Sequence, residues 1–402
     1  MTRCALAPLM VAQALGAAAA GASVTVSAMT ASRLSGAAWS AGLAQSATVV
    51  GAAALSMPIA RLAARHGRRT ALIVAYAVAT VGALAAATGV TIGSLALFFA
   101  ALAALGGGTV AGLALRFAAA ELQTDPTRRP GSIALVLWMA AVGGLVGPNI
   151  ASMLDTQWGR AAPFVMIAAT YTADIAVVST LRRPPQAMAP DPRSRPIEPE
   201  SAAPPTALVN ASITAVAGHM AMTGLMGLAP PFLASAGASG AMIGAVMSAH
   251  LVAMYAASPL IGVVVRRLTA QHSCAVALMV YAGACALIVV GTGSTMTFAI
   301  GLTLLGLGWS FGMIASSAIL ASAPPPKRLQ AQGRLDTLIN VGGATASALT
   351  GISVSAAGYP TVAAWVGACV AVLAVGMALR GTIRRQLSQR FVESSIEDRA
   401  DS

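Results

Sequence analysis

The chain is short of charge, of acids, of aromatic rings and of cysteine. Only 9% of its 402 residues are Asp, Glu, Lys or Arg, against about a quarter in an ordinary soluble domain. So few charges cannot cover the water-facing surface of a chain this long. With 57% apolar residues and a mean hydropathy of +0.78, a cytosolic enzyme and a disordered chain are both excluded. Rings are scarce too: five Trp, five Tyr and eight Phe. The net charge of +12 therefore has no aromatic platform beside it, and nucleic acid is not the expected partner. Cys4, Cys274, Cys285 and Cys369 show no CxxC spacing, so they read as small apolar residues rather than a disulfide or zinc set. The twelve acids are dispersed and form no DDxxD-like pair, which leaves an intramembrane lipid-linked transferase as a remote alternative. No GxxxxGK[ST] phosphate loop is present, so a fused ATPase is excluded. No catalytic residue, metal or cofactor is expected.

What the chain does have is long Ala/Leu/Val/Gly runs. A membrane-crossing helix needs roughly 20 apolar residues, and a β-barrel would show short alternating segments instead. Twelve spans can be marked: 6–29, 38–60, 70–90, 94–117, 132–153, 161–181, 208–232, 240–265, 273–292, 296–320, 337–357 and 361–380. Residues 1–22 share features with a leader peptide (Arg3, an apolar run, small residues), but the run continues into further spans. The predicted fold is an all-α integral membrane protein of twelve helices in two pseudo-symmetric six-helix bundles. The expected organisation is a first bundle over 1–182, a cytoplasmic linker over 183–206, a second bundle over 207–380 and a cytoplasmic tail over 381–402.

Charge orients the helices. With both termini in the cytoplasm, 22 of the 24 basic residues fall inside, and only Arg33 and Arg160 fall outside. That asymmetry is the positive-inside pattern of a plasma-membrane protein with an even helix count. An internal repeat supports the two bundles. Pro58 to Arg65 at the end of helix 2 returns as Pro259 to Arg267 at the end of helix 8, and Arg128-Arg129 returns as Lys327-Arg328. Halves with the same in/out sense form a parallel repeat, an arrangement used by transporters with a substrate site between the halves.

Two motifs carry a family resemblance. The loop after helix 2 reads Ala60-Arg61-Leu62-Ala63-Ala64-Arg65-His66-Gly67-Arg68-Arg69. It resembles the GxLaDRxGRR signature of the major facilitator superfamily. Arg65, Gly67, Arg68 and Arg69 are kept, while Ala60 and Ala64 replace the leading Gly and the Asp. In that family the loop latches the outward-facing state, so Asp336 is expected to supply the missing carboxylate to Arg61 or Arg65. The plainer reading is that the arginines only anchor the loop. Helix 5 carries Gly143, Gly147, Pro148, Ala151 and Ser152, which resembles the GxxxGPxxGG motif of the family's drug:proton antiporters. The plainer reading here is close helix packing. The helix 4 arginine tied to proton coupling in those antiporters is absent, because Leu102 stands four residues before Gly106. Ser248 to Pro259 resembles a pattern of uncharacterised bacterial members.

Ionisable residues inside spans need a reason. Asp174, His219 and His250 are the candidates for proton coupling, each weighed against a structural role. Ser212, His219, Thr223 and Met226 share one face of helix 7, a helix that lines the cavity in the family. The other cavity candidates are Gln13, Trp138, Asn149, Asn210, Trp309 and Asn340. Trp138 and Trp309 suit stacking against flat cationic or apolar ligands. The resemblance implies a secondary transporter working by alternating access, with export of drug-like amphipathic compounds against proton entry as its first version. The alternative is a carrier of one metabolite, such as a sugar, an amino acid or an organic acid, in either direction. Its expected partners are a small-molecule substrate, the lipid bilayer and protons, and its expected state is a monomer.

Overall fold

The computed structural model describes residues 2–36, 40–123, 125–181, 204–268, 270–323 and 325–377. The expected linker lies almost wholly outside them, and the tail entirely so. Within lipid a backbone must satisfy its own polar groups, so each apolar run becomes a helix. In chain order these are α1 (Thr2–Ser35), α2 (Ser40–His66), α3 (Arg68–Thr91), α4 (Leu95–Glu121), α5 (Arg129–Trp158), α6 (Ala162–Ser179), α7 (Pro205–Ser235), α8 (Gly240–Tyr255), α9 (Ser258–Arg267), α10 (Ala270–Val290), α11 (Thr295–Leu320), α12 (Pro325–Ala357) and α13 (Tyr359–Met377). Eleven are long and apolar enough to cross a membrane, and α8 with α9 makes the twelfth span, bent by 40°. The continuous helix expected over 240–265 is therefore broken, at the turn that precedes Pro259, the second residue of α9.

Two cores match the two halves. One joins residues of α1 to α6, from Leu6 to Val178. The other joins α7 to α13 and takes in Phe117, Ala120, Ile133, Ala134 and Leu137 from the first half. The repeat holds at residue level in α4 and α11. Ser94 caps α4 by accepting from the Leu97 amide, and Ser294 caps α11 by accepting from the Thr297 amide. Gly106 packs against the backbone of α2 at Ala52, and Gly306 packs against α8 at the His250 carbonyl.

The loops joining α2 to α3 and α4 to α5 mark what we call the basic end. Gly67, with φ +86°, makes the α2–α3 turn, and its amide donates to the Ala63 carbonyl at 2.9 Å. An L side chain is strained at that φ, which explains why the turn carries glycine. At the opposite end Arg33 pairs with Asp155 at 3.0 Å, so one of the two exceptions to the charge pattern is neutralised.

Candidate functional site

The halves meet at the basic end through arginines of the first half. Arg116, in the last two turns of α4, is completely buried. Its Nη2 donates to Asp336 Oδ1 of α12 at 2.5 Å, its Nε to Ser317 Oγ of α11 at 2.8 Å, and its Nη1 to the Leu113 carbonyl at 2.8 Å. The guanidinium carbon sits 4.5 Å from the ring centroid of Phe117. Every guanidinium nitrogen is thus used, which is what makes a buried arginine tolerable. Asn340, one turn after Asp336, donates to the Asp336 backbone carbonyl at 2.8 Å.

Two more arginines repeat the theme. Arg68 grips Glu121 at the end of α4 with Nε at 3.2 Å and Nη2 at 2.5 Å, and Nη2 also donates to Gln332 Oε1 of α12 at 2.5 Å. Arg129 donates to Ser322 Oγ at 2.8 Å and to the Ala321 carbonyl at 3.3 Å, just past α11. Around these contacts α2 lies along α12 and α5 lies on α9. A Cβ at Gly333 would fall 2.2 Å from Ala60 Cβ, and one at Gly262 2.6 Å from Ala134 Cβ. Beside them, Asp125 in the α4–α5 loop accepts from the Thr127 hydroxyl and amide, which holds its carboxyl below the usual range.

This corrects the expected partner of Asp336. Arg61 and Arg65 are exposed and pair with no acid among the described residues. Arg69 is half-buried. Of the arginines in the loop motif, Arg68 is the one that hydrogen-bonds the other half among the described residues.

Gly143 and Gly147 of α5 face α1. A Cβ at Gly143 would sit 1.9 Å from the Ala14 carbonyl oxygen, and one at Gly147 2.0 Å from that of Ala18. The Pro148 ring packs over Gly21, whose Cβ would be 3.3 Å from its Cγ and Cδ. These three positions therefore hold two backbones together, as small residues do in membrane pairs.

The polar and aromatic candidates divide into separate places. In the second half, Trp309 Nε1 donates to His219 Nδ1 at 3.0 Å. Tyr255 meets the Trp309 ring edge-on at 5.6 Å between centroids. Thr223 donates to the carbonyls of His219, at 2.9 Å, and Gly343, at 3.3 Å. Met226 and Asn210 on the same helix are half-buried. On α5, Trp138 is 39% exposed, and Asn149 is exposed with its amide donating to the Leu145 carbonyl at 2.7 Å. His250 is completely buried, and its Nδ1 bonds the Leu302 carbonyl at 2.7 Å. A carbonyl only accepts, so Nδ1 carries the proton and pins α8 to α11. Gln13 and Asp174 are buried inside the first half.

Sequence profiles decide the family. The profile of the Major Facilitator Superfamily matches residues 5–212 and again residues 211–394. The chain belongs to the major facilitator superfamily. A relative described as the uncharacterised major-facilitator-type transporter YdeG of Bacillus subtilis (strain 168) is 28% identical over 368 residues, 87% of this chain and 85% of that protein. The human organic anion transporter MFSD10 (TETRAN) superposes with a TM-score of 0.75 at 14% identity, over 94% of this chain and 99% of that one. The transporter FucP in its outward conformation superposes with a TM-score of 0.71 at 15% identity, over 93% and 98%. At these identities the likeness establishes the fold.

As a superfamily member the chain is a multi-pass membrane transporter. The residue that sequence reasoning missed is Arg116, which counts there as one more inside charge near a helix end. The signal available was its position: a lone arginine inside the run Leu113-Ala114-Leu115-Arg116-Phe117-Ala118-Ala119-Ala120, with three apolar residues before it and four after.

Proposed function

We propose that this transporter exports small amphipathic compounds, apolar or weakly basic, in exchange for protons. The basic end faces the cytoplasm, the membrane is the plasma membrane and the working unit is a monomer. The two halves rock about a site at mid-membrane depth, and the arginine contacts hold the conformation closed at the basic end.

The observation that carries this reading is the group around Trp309. An indole, a phenol ring and a neutral imidazole gather on α7, α8 and α11, and the buried guanidinium of Arg116 is matched by Asp336. Rings with neutral hydrogen-bonding groups and no unmatched charge suit flat, weakly charged ligands and disfavour strongly anionic ones. Asp174, His219 and His250 are the groups through which protons are exchanged in this reading.

The test is dye accumulation in an efflux-deficient bacterium expressing the chain, with and without a protonophore. Lowered accumulation of an ethidium-like cation, restored by the protonophore, is the expected result. Accumulation equal to empty vector, with the protein folded in the membrane, would sink broad export. The second reading, a carrier for one polar metabolite, is favoured by the exposed amide of Asn149, and uptake assays with labelled sugars, amino acids and organic acids would identify it.

A further inference from the structure

Tyr76 of α3 and Asp174 of α6 turn towards one bare stretch of α1 inside the first half. A Cβ at Gly16 would lie 3.2 Å from Tyr76 Oη and 3.5 Å from Asp174 Oδ2. Gln13 stands one turn earlier on the same face of α1. All three side chains are buried: Asp174 and Tyr76 at 0% exposure, Gln13 at 8%. Neither carboxyl oxygen of Asp174, nor Tyr76 Oη, nor Gln13 Oε1 has a hydrogen-bond partner among the described residues.

Among the described residues the surroundings bring no compensating cation. Tyr171, one turn before Asp174, packs its ring 5.8 Å from that of Tyr76 and turns its hydroxyl towards Gly108 on α4. The ion pairs among the described residues do not include Asp174. The helix α5, which also touches α6, carries charge only near its ends, at Arg129 and Asp155.

An ionised carboxylate left like this is strongly disfavoured. One added proton makes the group complementary. Protonated Asp174 gains the donor that Gln13 Oε1, an acceptor, lacks, and a small turn of the Tyr76 side chain, whose Oη sits over the same Gly16 as Asp174 Oδ2, gives its carbonyl oxygen a hydroxyl partner. A hard metal cation fits less well. The set offers four oxygens, two from Asp174 and one each from Tyr76 and Gln13, against the roughly six such ions take.

We infer that Asp174, Tyr76 and Gln13 form a proton-binding site within the first half, set apart from the Trp309 group in the second. This deepens the proton-coupled reading above. It rests on that reading for the claim that the proton is transported, while binding itself stands on the geometry. Asp174 takes the proton. Tyr76 and Gln13 are positioning residues that hold the acid's two oxygens in distinct roles.

The test is difference infrared spectroscopy of the full chain in lipid vesicles, titrated between mildly acidic and alkaline pH without any substrate. The expected result is a protonated-carboxyl stretch that appears and disappears with pH. Asp174→Asn removes it, Asp336→Asn leaves it, and Tyr76→Phe keeps it at a shifted frequency. Should Asp174→Asn fail to fold, Tyr76→Phe and Gln13→Leu still decide, because each must move the band. A band lost in Asp336→Asn instead, or one unmoved by both positioning variants, overturns the site. A band that never titrates shows a permanently neutral structural acid and also overturns it. Suppression of the band by sodium chloride at constant pH, with potassium chloride inert, replaces the proton by sodium. Dye export plays no part in this measurement, so its failure would leave the site standing, and the reverse holds too.

Discussion

Arg116 and Asp336 stand 220 positions apart in the chain and 2.5 Å apart in the fold, with the guanidinium wholly out of solvent. Removing one partner of such a pair strands the other, at a cost of about 3–5 kcal/mol. That cost falls on the conformation closed at the basic end. We expect Arg116→Met and Asp336→Asn each to abolish transport. Each should also speed maleimide labelling of Ala60→Cys, which packs against Gly333, by tenfold or more in a chain lacking its native cysteines. Unchanged labelling would show that the pair does not hold the halves together. Exchanging the charges of Arg65 and Asp336 should rescue nothing, because Arg65 is exposed and elsewhere.

Three glycines of one helix separate packing from mere composition. Gly143→Ala and Gly147→Ala drive a methyl to within 2.0 Å of a carbonyl oxygen of α1, whereas Gly144→Ala meets nothing within 4 Å. Overpacking costs about 1–3 kcal/mol even where neighbours can yield, and a backbone carbonyl yields little. The first two variants should each lose roughly 2–4 °C of thermal stability in detergent. The third should stay within about 1 °C of the parent. Equal behaviour of all three would show that the helices are not held at this distance.

The Trp309–His219 hydrogen bond makes a coupling prediction. Indole N–H only donates, so His219 Nδ1 must accept, and the imidazole is neutral with its proton on Nε2. Trp309→Phe and His219→Ala should therefore be non-additive in unfolding free energy by about 0.5–1.5 kcal/mol. Additive effects would place the two rings out of hydrogen-bond reach.

The pair at the other end should behave differently. Arg33 and Asp155 are 41% and 11% exposed and belong to the same half. Pairs reached by water contribute about 0–1 kcal/mol. We expect Arg33→Gln to leave transport within twofold of the parent and Ala60→Cys labelling unchanged. A transport loss as deep as that of Asp336→Asn would show that both ends are latched.

The architecture was legible because lipid leaves few solutions: apolar runs of the right length, with arginines gathered at alternate ends, admit one arrangement of twelve spans. The partner of Asp336 was not legible, for a physical reason. The run that marks helix 4 ends at 117 in the sequence, but the helix continues to Glu121, whose carboxylate is held by Arg68. Arg116 thus lies more than a turn from the helix end, and a residue counted as an inside charge near that end becomes the centre of the contact. The break between α8 and α9 was equally hidden, since Pro259 also fits the first turn of a helix. His250 was visible as a buried imidazole, but its bond to the Leu302 carbonyl depends on a close approach to Gly306 that no local pattern encodes.

The broken span divides its loyalties. Its upper segment, α8, is fastened to α11 through His250, while its lower segment, α9, presses Gly262 against Ala134 of the opposite half. The two segments are therefore not equivalent: α9 also meets α11 through the Ser258–Ser310 hydroxyl pair, so this one span links a core of the second half directly to α5 of the first.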